Sequence, residues 1–251
     1  MSNYNLGTIG STPVVKNNFS LSESAPNDIF QFRINSTSNV NLSLTDISAG
    51  DDADIILYRD NGNGVFDAGD LLSSQVVGLA NASGNRDDAI NRRLDAGTYF
   101  AEVRRFGLRS SGSVSYDFAV SATASNSTAG FSNLLPKEFE LGNLSGDVTR
   151  SNNVSNVDTS DTYSFSLGLF EGVNITLSNL LADADIRLIR DSNNNRIVDA
   201  GEEVARSTRG GTTSELISNI RQSGDYFLQV NQFSGQTGYA LTFDHFTTPE
   251  A

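Results

Sequence analysis

Residues 191 to 202 read DSNNNRIVDAGE, which sets oxygen-bearing side chains at positions 1, 3, 5, 9 and 12: Asp191, Asn193, Asn195, Asp199 and Glu202. Position 7 is Ile197, which can offer its backbone carbonyl. A chain wrapping one ion can point only alternate residues inward, and a long acid at its end closes the shell. Calcium is a hard cation that takes six to eight oxygens at ~2.3–2.6 Å, so this spacing predicts an EF-hand-type calcium loop. Residues 59 to 70, RDNGNGVFDAGD, carry an imperfect second version. Counting back from Asp67 sets Arg59 at position 1 and Asp60 beside it, with Asn61, Asn63, Val65 and a closing Asp70 in their places. Asp60 is expected to reach the ion from a shifted backbone. Asn, Asp and Gly also cluster in ordinary turns. Two such loops at matching places, each ending in Asp-Ala-Gly-acid, favour calcium over that plainer reading.

The elements around the loops occur twice. DIFQFRI from Asp28 returns as DTYSFSL from Asp161, and VNLSL from Val40 returns as VNITL from Val173. DADIILYRD from Asp52 matches DADIRLIRD from Asp183, and the two loops follow. DAGTYFAEV from Asp95 then matches QSGDYFLQV from Gln222, and each copy ends on an alternating strand holding Tyr116 or Tyr239. Period-two alternation buries one face of each strand. The reading is all-β: two tandem jelly-roll-like antiparallel β-sandwich domains of seven to nine strands each, at residues 1–122 and 139–251. The small, polar segment at 123–138 is the expected linker.

Composition narrows the function. The net charge is −13, with no cysteine and one histidine. Such acidity argues against a nucleic-acid partner and suits a surface that collects divalent cations. Without cysteine there is no disulfide or thiolate metal site. No apolar run is long enough to insert in a membrane, and the N-terminus lacks the basic and apolar regions of a conventional signal peptide.

The ordered motifs D-x-(F/Y)-x-F, DADIxL, (A/S)-G-x-Y-(F/Y)-x-x-V and a final Tyr-containing strand resemble the bacterial pre-peptidase C-terminal domain family, over residues 5–122 and 139–247. They are especially similar to cyanobacterial members with a D-S-N-G-N-G insertion after DADIxL; STRGGTT at 207–213 resembles that subtype too. The resemblance implies a jelly-roll-like sandwich and a non-catalytic accessory role, often beside secreted peptidases or in calcium-rich exported proteins. No peptidase domain accompanies the two copies in this chain. Loop two departs from the subtype with Asn194 and Arg196 where glycines stand, and Arg196 would be strained in a left-handed backbone. Loop one keeps Gly62 and Gly64 but is a residue short, and Asp70 reaches less far than Glu202.

Asp54 and Asp185, with Asp52 and Asp183, are further candidate ligands, either for the nearby ion or for a second one; solvent-facing acids at a strand start is the plainer expectation. His245, beside Phe246, reads as a surface residue, and no Ser sits in a nucleophile elbow. Arg104, Arg105 and Arg109 around Phe106 read as a solvated loop, with a small ligand patch as the sharper alternative. The expected function is a calcium-stabilised, non-enzymatic module at the cell surface or outside the cell, engaging a matrix, glycan or protein ligand. Its rivals are an accessory glycan- or protein-binding module of a hydrolase system and an Asp/Glu-based glycosidase.

Overall fold

The computed structural model describes residues 1–106 and 112–247. Among them there is no helix, so none that could cross a membrane. The chain divides into two compact units, Met1–Ala124 and Ser125–Ala251.

The first unit holds β1 (Ser2–Thr8), β2 (Val14–Ser22), β3 (Asn27–Ile34), β4 (Ser38–Thr45), β5 (Ala53–Arg59), β6 (Val76–Ala80), β7 (Asp88–Leu94), β8 (Gly97–Arg105) and β9 (Ser113–Ala124). They form a five-stranded sheet, β1-β3-β8-β5-β6, and a four-stranded sheet, β2-β9-β4-β7. Alternation dictates the packing: Phe30, Phe32, Ile55, Leu57, Ala101 and Val103 of one sheet meet Val40, Leu42, Leu44, Phe118 and Val120 of the other in one core. The Phe30 and Phe118 rings stack at 4.3 Å. Every pairing is antiparallel except β1 on β3.

The second unit repeats the plan with β10 (Phe139–Asn143), β11 (Val148–Val154), β12 (Ser160–Leu167), β13 (Glu171–Ser178), β14 (Asp183–Ile189), β15 (Glu203–Ser207), β16 (Glu215–Ile220), β17 (Gly224–Ser234) and β18 (Thr237–Thr247). Its sheets run β10-β12-β17-β14-β15 and β11-β18-β13-β16, with β10 parallel to β12. The all-β class and the two sandwiches are as expected; the parallel pair in each is an addition to the antiparallel reading.

Two repeated motifs acquire physical reasons. The Tyr99 and Tyr226 hydroxyls each donate to a carbonyl four residues back, that of Asp95 at 2.7 Å and of Gln222 at 2.6 Å, fastening the turns into β8 and β17. The Asp of D-x-(F/Y)-x-F accepts from the final-strand tyrosine across the core: Tyr116 donates to Asp28 at 2.7 Å, and Tyr239 donates to Asp161.

The expected linker at 123–138 is different in kind. The unit boundary falls after Ala124, and Phe131, Leu134 and Leu135 are buried within the second unit. The Arg187 guanidinium lies 4.9 Å from the Phe131 ring centre and donates to the Ser132 carbonyl, while Gln229 accepts from Arg187 and donates to the Leu134 carbonyl, both at 2.8 Å. A polar stretch without alternation gave no sign of this docking.

Candidate metal centres

Loop two joins β14 to β15, and loop one joins β5 to β6. In loop two the N–H groups of Asn195 and Arg196 donate to the Asp191 carboxylate at 3.2 and 3.0 Å. The Asn193 side-chain oxygen accepts from the Asn195 N–H at 3.1 Å, and the Asn195 oxygen accepts from the Ile197 N–H at 2.9 Å. Each is a local turn that Asn and Asp favour, and in series they curl the backbone. Glu202 is buried and joins the two ends, accepting from the Ser192 N–H at 2.8 Å and the Asp199 N–H at 2.9 Å. Asn193 and Asn195 turn their amide nitrogens to one Asp199 oxygen, at 2.9 and 2.8 Å.

Loop one makes the same pattern with one residue fewer. The Gly64 N–H donates to both Asp60 oxygens at 3.0 and 3.2 Å. Asn61 and Asn63 accept from the N–H groups of Asn63 and Val65 at 3.1 and 2.8 Å. Asp70 is fully buried and accepts from the Asn61 N–H at 2.8 Å and the Asp67 N–H at 2.9 Å. Asn61 and Asn63 donate to Asp67, whose carboxyl is held below the usual range, chiefly by the Gly69 N–H. Asp60 thus plays the part of Asp191. The missing residue lies between positions 1 and 3, and Arg59 simply ends β5. Strict spacing back from Asp67 sets Arg59 at position 1, but the residue lost before Asn61 brings Asp60 there instead, the shifted backbone that the sequence leads one to expect.

Positions 4 and 6 are left-handed in both loops: Gly62 (φ 106°) and Gly64 (φ 73°), against Asn194 (φ 55°) and Arg196 (φ 63°). The strain expected at Arg196 therefore exists. The loops also rest on their sheets differently. In loop one Phe66 packs on Tyr58 and Phe100, at 5.5 and 5.3 Å between ring centres, and the Gln31 amide donates to the Gly64 carbonyl at 3.0 Å. In loop two Val198 packs with Ile189, Phe227 and Leu135.

Asp54 and Asp185 stand at the other ends of β5 and β14. Six residues of strand at ~3.3 Å each keep them roughly 20 Å from Asp60 and Asp191, too far to share an ion with the loops. Nor are they solvent-facing, since Asp52, Asp54 and Asp185 are all buried. Burial raises Asp54, with Asp52 adding to it, and raises Asp185 to about 7, with Asp183 and Glu215 adding to it. Asp88, on β7, is likewise raised to about 7 by burial first and by Asp54 next among the charges. Among the described residues no three acidic or histidine side chains form a ready metal cage, so an ion in either loop needs amide and backbone oxygens as well.

The repeated Asp–Tyr pair is not visible as a contact in the sequence, although both motifs that hold it are. Asp161 also accepts from Asn152 at 3.2 Å, and Tyr163 and Tyr239 share a hydrogen bond at 2.8 Å. Burial, helped by Asp158, lifts Asp161 to about 8. His245 is only partly exposed, 3.6 Å from Glu171. Arg104 faces Asp54, Arg105 donates to the Gly112 carbonyl at 3.3 Å and Phe106 is exposed; Arg109 lies outside the described residues.

The sequence profile of the bacterial pre-peptidase C-terminal domain family matches residues 26–105 and 159–232, together more than half of the chain. No curated protein matches the sequence. Among solved structures, the pre-peptidase C-terminal domain of a Bacillus anthracis collagenase is 19% identical, covering 47% of this chain and 93% of that one, at a TM-score of 0.33. The periplasmic g-type lysozyme inhibitor PliG of Aeromonas hydrophila is 13% identical, covering 48% and 98%, at 0.30. The CUB1-EGF-CUB2 region of human MASP-1/3 is 8% identical, covering 94% of each chain, also at 0.30. At such scores the likeness decides nothing about function.

Proposed function

Because this chain belongs to the bacterial pre-peptidase C-terminal domain family, we propose that it is a non-catalytic, calcium-binding pair of β-sandwiches that serves outside the cell or at its surface as a binding or structural module. One observation carries the reading. Two loops of different length and composition preserve the same set of turns, with an acid at each end and two amides and an acid between. Ordinary turns have no reason to keep that set while the loop shortens. Asp191, Asn193, Asn195, Asp199, Glu202 and the Ile197 carbonyl would hold one ion; Asp60, Asn61, Asn63, Asp67, Asp70 and the Val65 carbonyl would hold the other. The donors are all oxygens, as a hard cation requires. The amide nitrogens now on Asp67 and Asp199 supply the positive partner that a cation would otherwise provide, and those side chains must turn to present oxygen. A bound ion would tie a long loop to its sheet and offset its gathered carboxylates.

Thermal melting tests this. A ligand that binds only the folded state, at a hundredfold excess over its Kd, stabilises by ~2.7 kcal/mol. Sites of the extracellular type have Kd of ~10⁻⁴–10⁻³ M, so ~10 mM calcium should raise the melting temperature by several degrees over EDTA, and magnesium should do much less. Identical melts in calcium and EDTA would remove the calcium reading.

A second reading, an accessory glycan-binding module, has its own support. A hollow of about 190 Å³ beside loop one is lined by Asn3, Asn5 and Gln31 and by Phe66 and Phe100, while the Tyr4 ring turns to the other face of β1 and stacks on Phe30. Amides next to rings suit sugars, which offer both hydroxyls and apolar faces. Glycan-array binding that survives in wild type and fails in Phe66→Ala supports it; no binding to any glycan ends it.

A further inference from the structure

We infer that the segment Asn133–Leu135 is a positioning element of loop two, and that calcium in the loop and this segment each hold the other in place. The inference rests on the reading of loop two as a calcium site.

The contact is made by backbone. The Leu135 N–H donates to the Arg196 carbonyl and the Val198 N–H donates to the Asn133 carbonyl, both at 3.0 Å, so that Leu134 and Ile197 form an antiparallel bridge. These bonds fall on positions 6 and 8 of the loop. Between them lies Ile197, at position 7, whose carbonyl is the backbone ligand. The segment therefore holds the peptides on both sides of Ile197 and so fixes its orientation. Leu135 is fully buried against Val198, Ile189 and Phe227, so the bridge is also covered by apolar packing.

Loop one shows what the segment replaces. There the position 6 carbonyl, on Gly64, accepts from the Gln31 side chain, and Phe66 fills the space over Tyr58 and Phe100 with its own ring. Glycine permits the left-handed turn at that place without outside help. Arg196 is held in the same turn against its preference, and its carbonyl is the one that Leu135 grips. A segment that holds the turn pre-pays part of the ordering cost of binding. By linkage, an ion that holds the turn must stabilise the docked segment by the same factor.

Amide hydrogen exchange on the full-length protein reads this directly. In calcium, amides at 131–135 and 196–198 should exchange about tenfold more slowly than in EDTA, a coupling of ordinary size. Magnesium should not substitute, and Glu202→Ala should abolish the effect in both segments. Leu135→Ala, which keeps the N–H but removes the packing, should weaken calcium at loop two about tenfold and leave loop one unchanged. Leu135→Pro, which also removes the N–H, should weaken it further. If calcium slows exchange in the loop and not at 131–135, the coupling is wrong while the calcium site stands. An unchanged loop-two affinity in a folded Leu135→Ala protein overturns the positioning role. Should neither segment respond and calcium give no heat of binding, the calcium reading fails and this inference with it. The wild-type exchange decides the matter even if both variants fail to fold.

Discussion

Loop one and loop two curl the same kind of side chains through the same turns, yet they draw on opposite means of support. Loop one spends glycine on both left-handed positions, is one residue shorter, closes on Asp70 and brings its own aromatic cover in Phe66. Loop two puts Asn194 and Arg196 in those positions, closes on Glu202 and takes its cover from a distant stretch of chain, 133–135. A non-glycine residue held left-handed costs of order 1–3 kcal/mol and persists only where its surroundings over-determine it. Arg196 is so determined: its carbonyl is bonded, and its guanidinium lies 5.3 Å from the Phe227 ring centre. The turn thus requires a backbone shape rather than a glycine, and that shape can be imposed from outside.

The largest test of this difference is truncation. A fragment of residues 125–251 should melt cooperatively, as should one of 1–124, since each holds a complete core. A fragment starting at residue 134 strips Phe131 and the Ser132 carbonyl from the buried Arg187. Arg187 keeps Glu203 and Gln229 but loses a charge-assisted hydrogen bond, worth ~1.5–3 kcal/mol, and the ring beside it, so the fragment should melt below the 125–251 fragment. Equal melting temperatures would mean that the segment is ornament.

Next in size is pH. The folded pKa of Asp161 is raised to about 8, so the folded state holds a proton that the unfolded chain releases above its ordinary value near 4. Stability from this group is complete below pH ~4 and is lost as pH climbs to about 8, by at most ~1.4 kcal/mol per pH unit. Melts of the 125–251 fragment between pH 5 and 8 should slope downward, and Asp161→Asn should flatten the slope. A slope unchanged in that variant assigns it to other acids.

Calorimetry separates the two loops. Glu202→Ala should remove the tighter calcium phase and Asp70→Ala the weaker, each by at least tenfold in affinity, or ~1.4 kcal/mol. Loop two ranks first because its closing acid is longer and its position 7 peptide is held on both sides. If Asp70→Ala removes the tighter phase, the glycines of loop one outweigh those advantages.

The finest test exchanges the residues themselves. Gly64→Ala puts a side chain at φ 73° and should destabilise the first unit by ~1–2 kcal/mol in a urea melt. Arg196→Gly releases strain but loses a ring contact worth ~0.5–1 kcal/mol, so the second unit should shift by less than ~1 kcal/mol, toward stability. A large loss on Arg196→Gly would show that the arginine side chain holds the loop, not merely its backbone.

What could be seen in the sequence was local or repeated. Strand alternation around Phe30, Phe32, Tyr163 and Phe165 gave the sandwiches, because period two directly reports a buried face. Asp191 to Glu202 stood out because their turns join residues two to five apart. Asp60 is legible as a ligand out of strict register, because loop one is a residue short, and the hydrogen bonds from the Gly64 N–H show its carboxylate turned into the loop. Asp54 and Asp185 read as neighbours of the ions because six residues are close in sequence, whereas an extended strand separates them by most of its length. Phe131 to Leu135 gave no signal, since the partners that bury them come some 55 to 95 residues later.

The repeated Leu-Gly pair near the start of each unit has a consequence beyond its own strand. Leu6 and Gly7 interrupt the register of β1 on β3, and Leu141 interrupts that of β10 on β12, with Gly7 and Gly142 left-handed. Both strands lie at a sheet edge, where unpaired backbone groups invite another chain to add on. A bulge twists the edge and spoils the straight ladder that an incoming strand would need. Two units with nearly the same edge sit on one polypeptide, at an effective concentration far above that of free domains. At β1 and β10 this kink disfavours strand addition, that of one unit's edge to its twin's included.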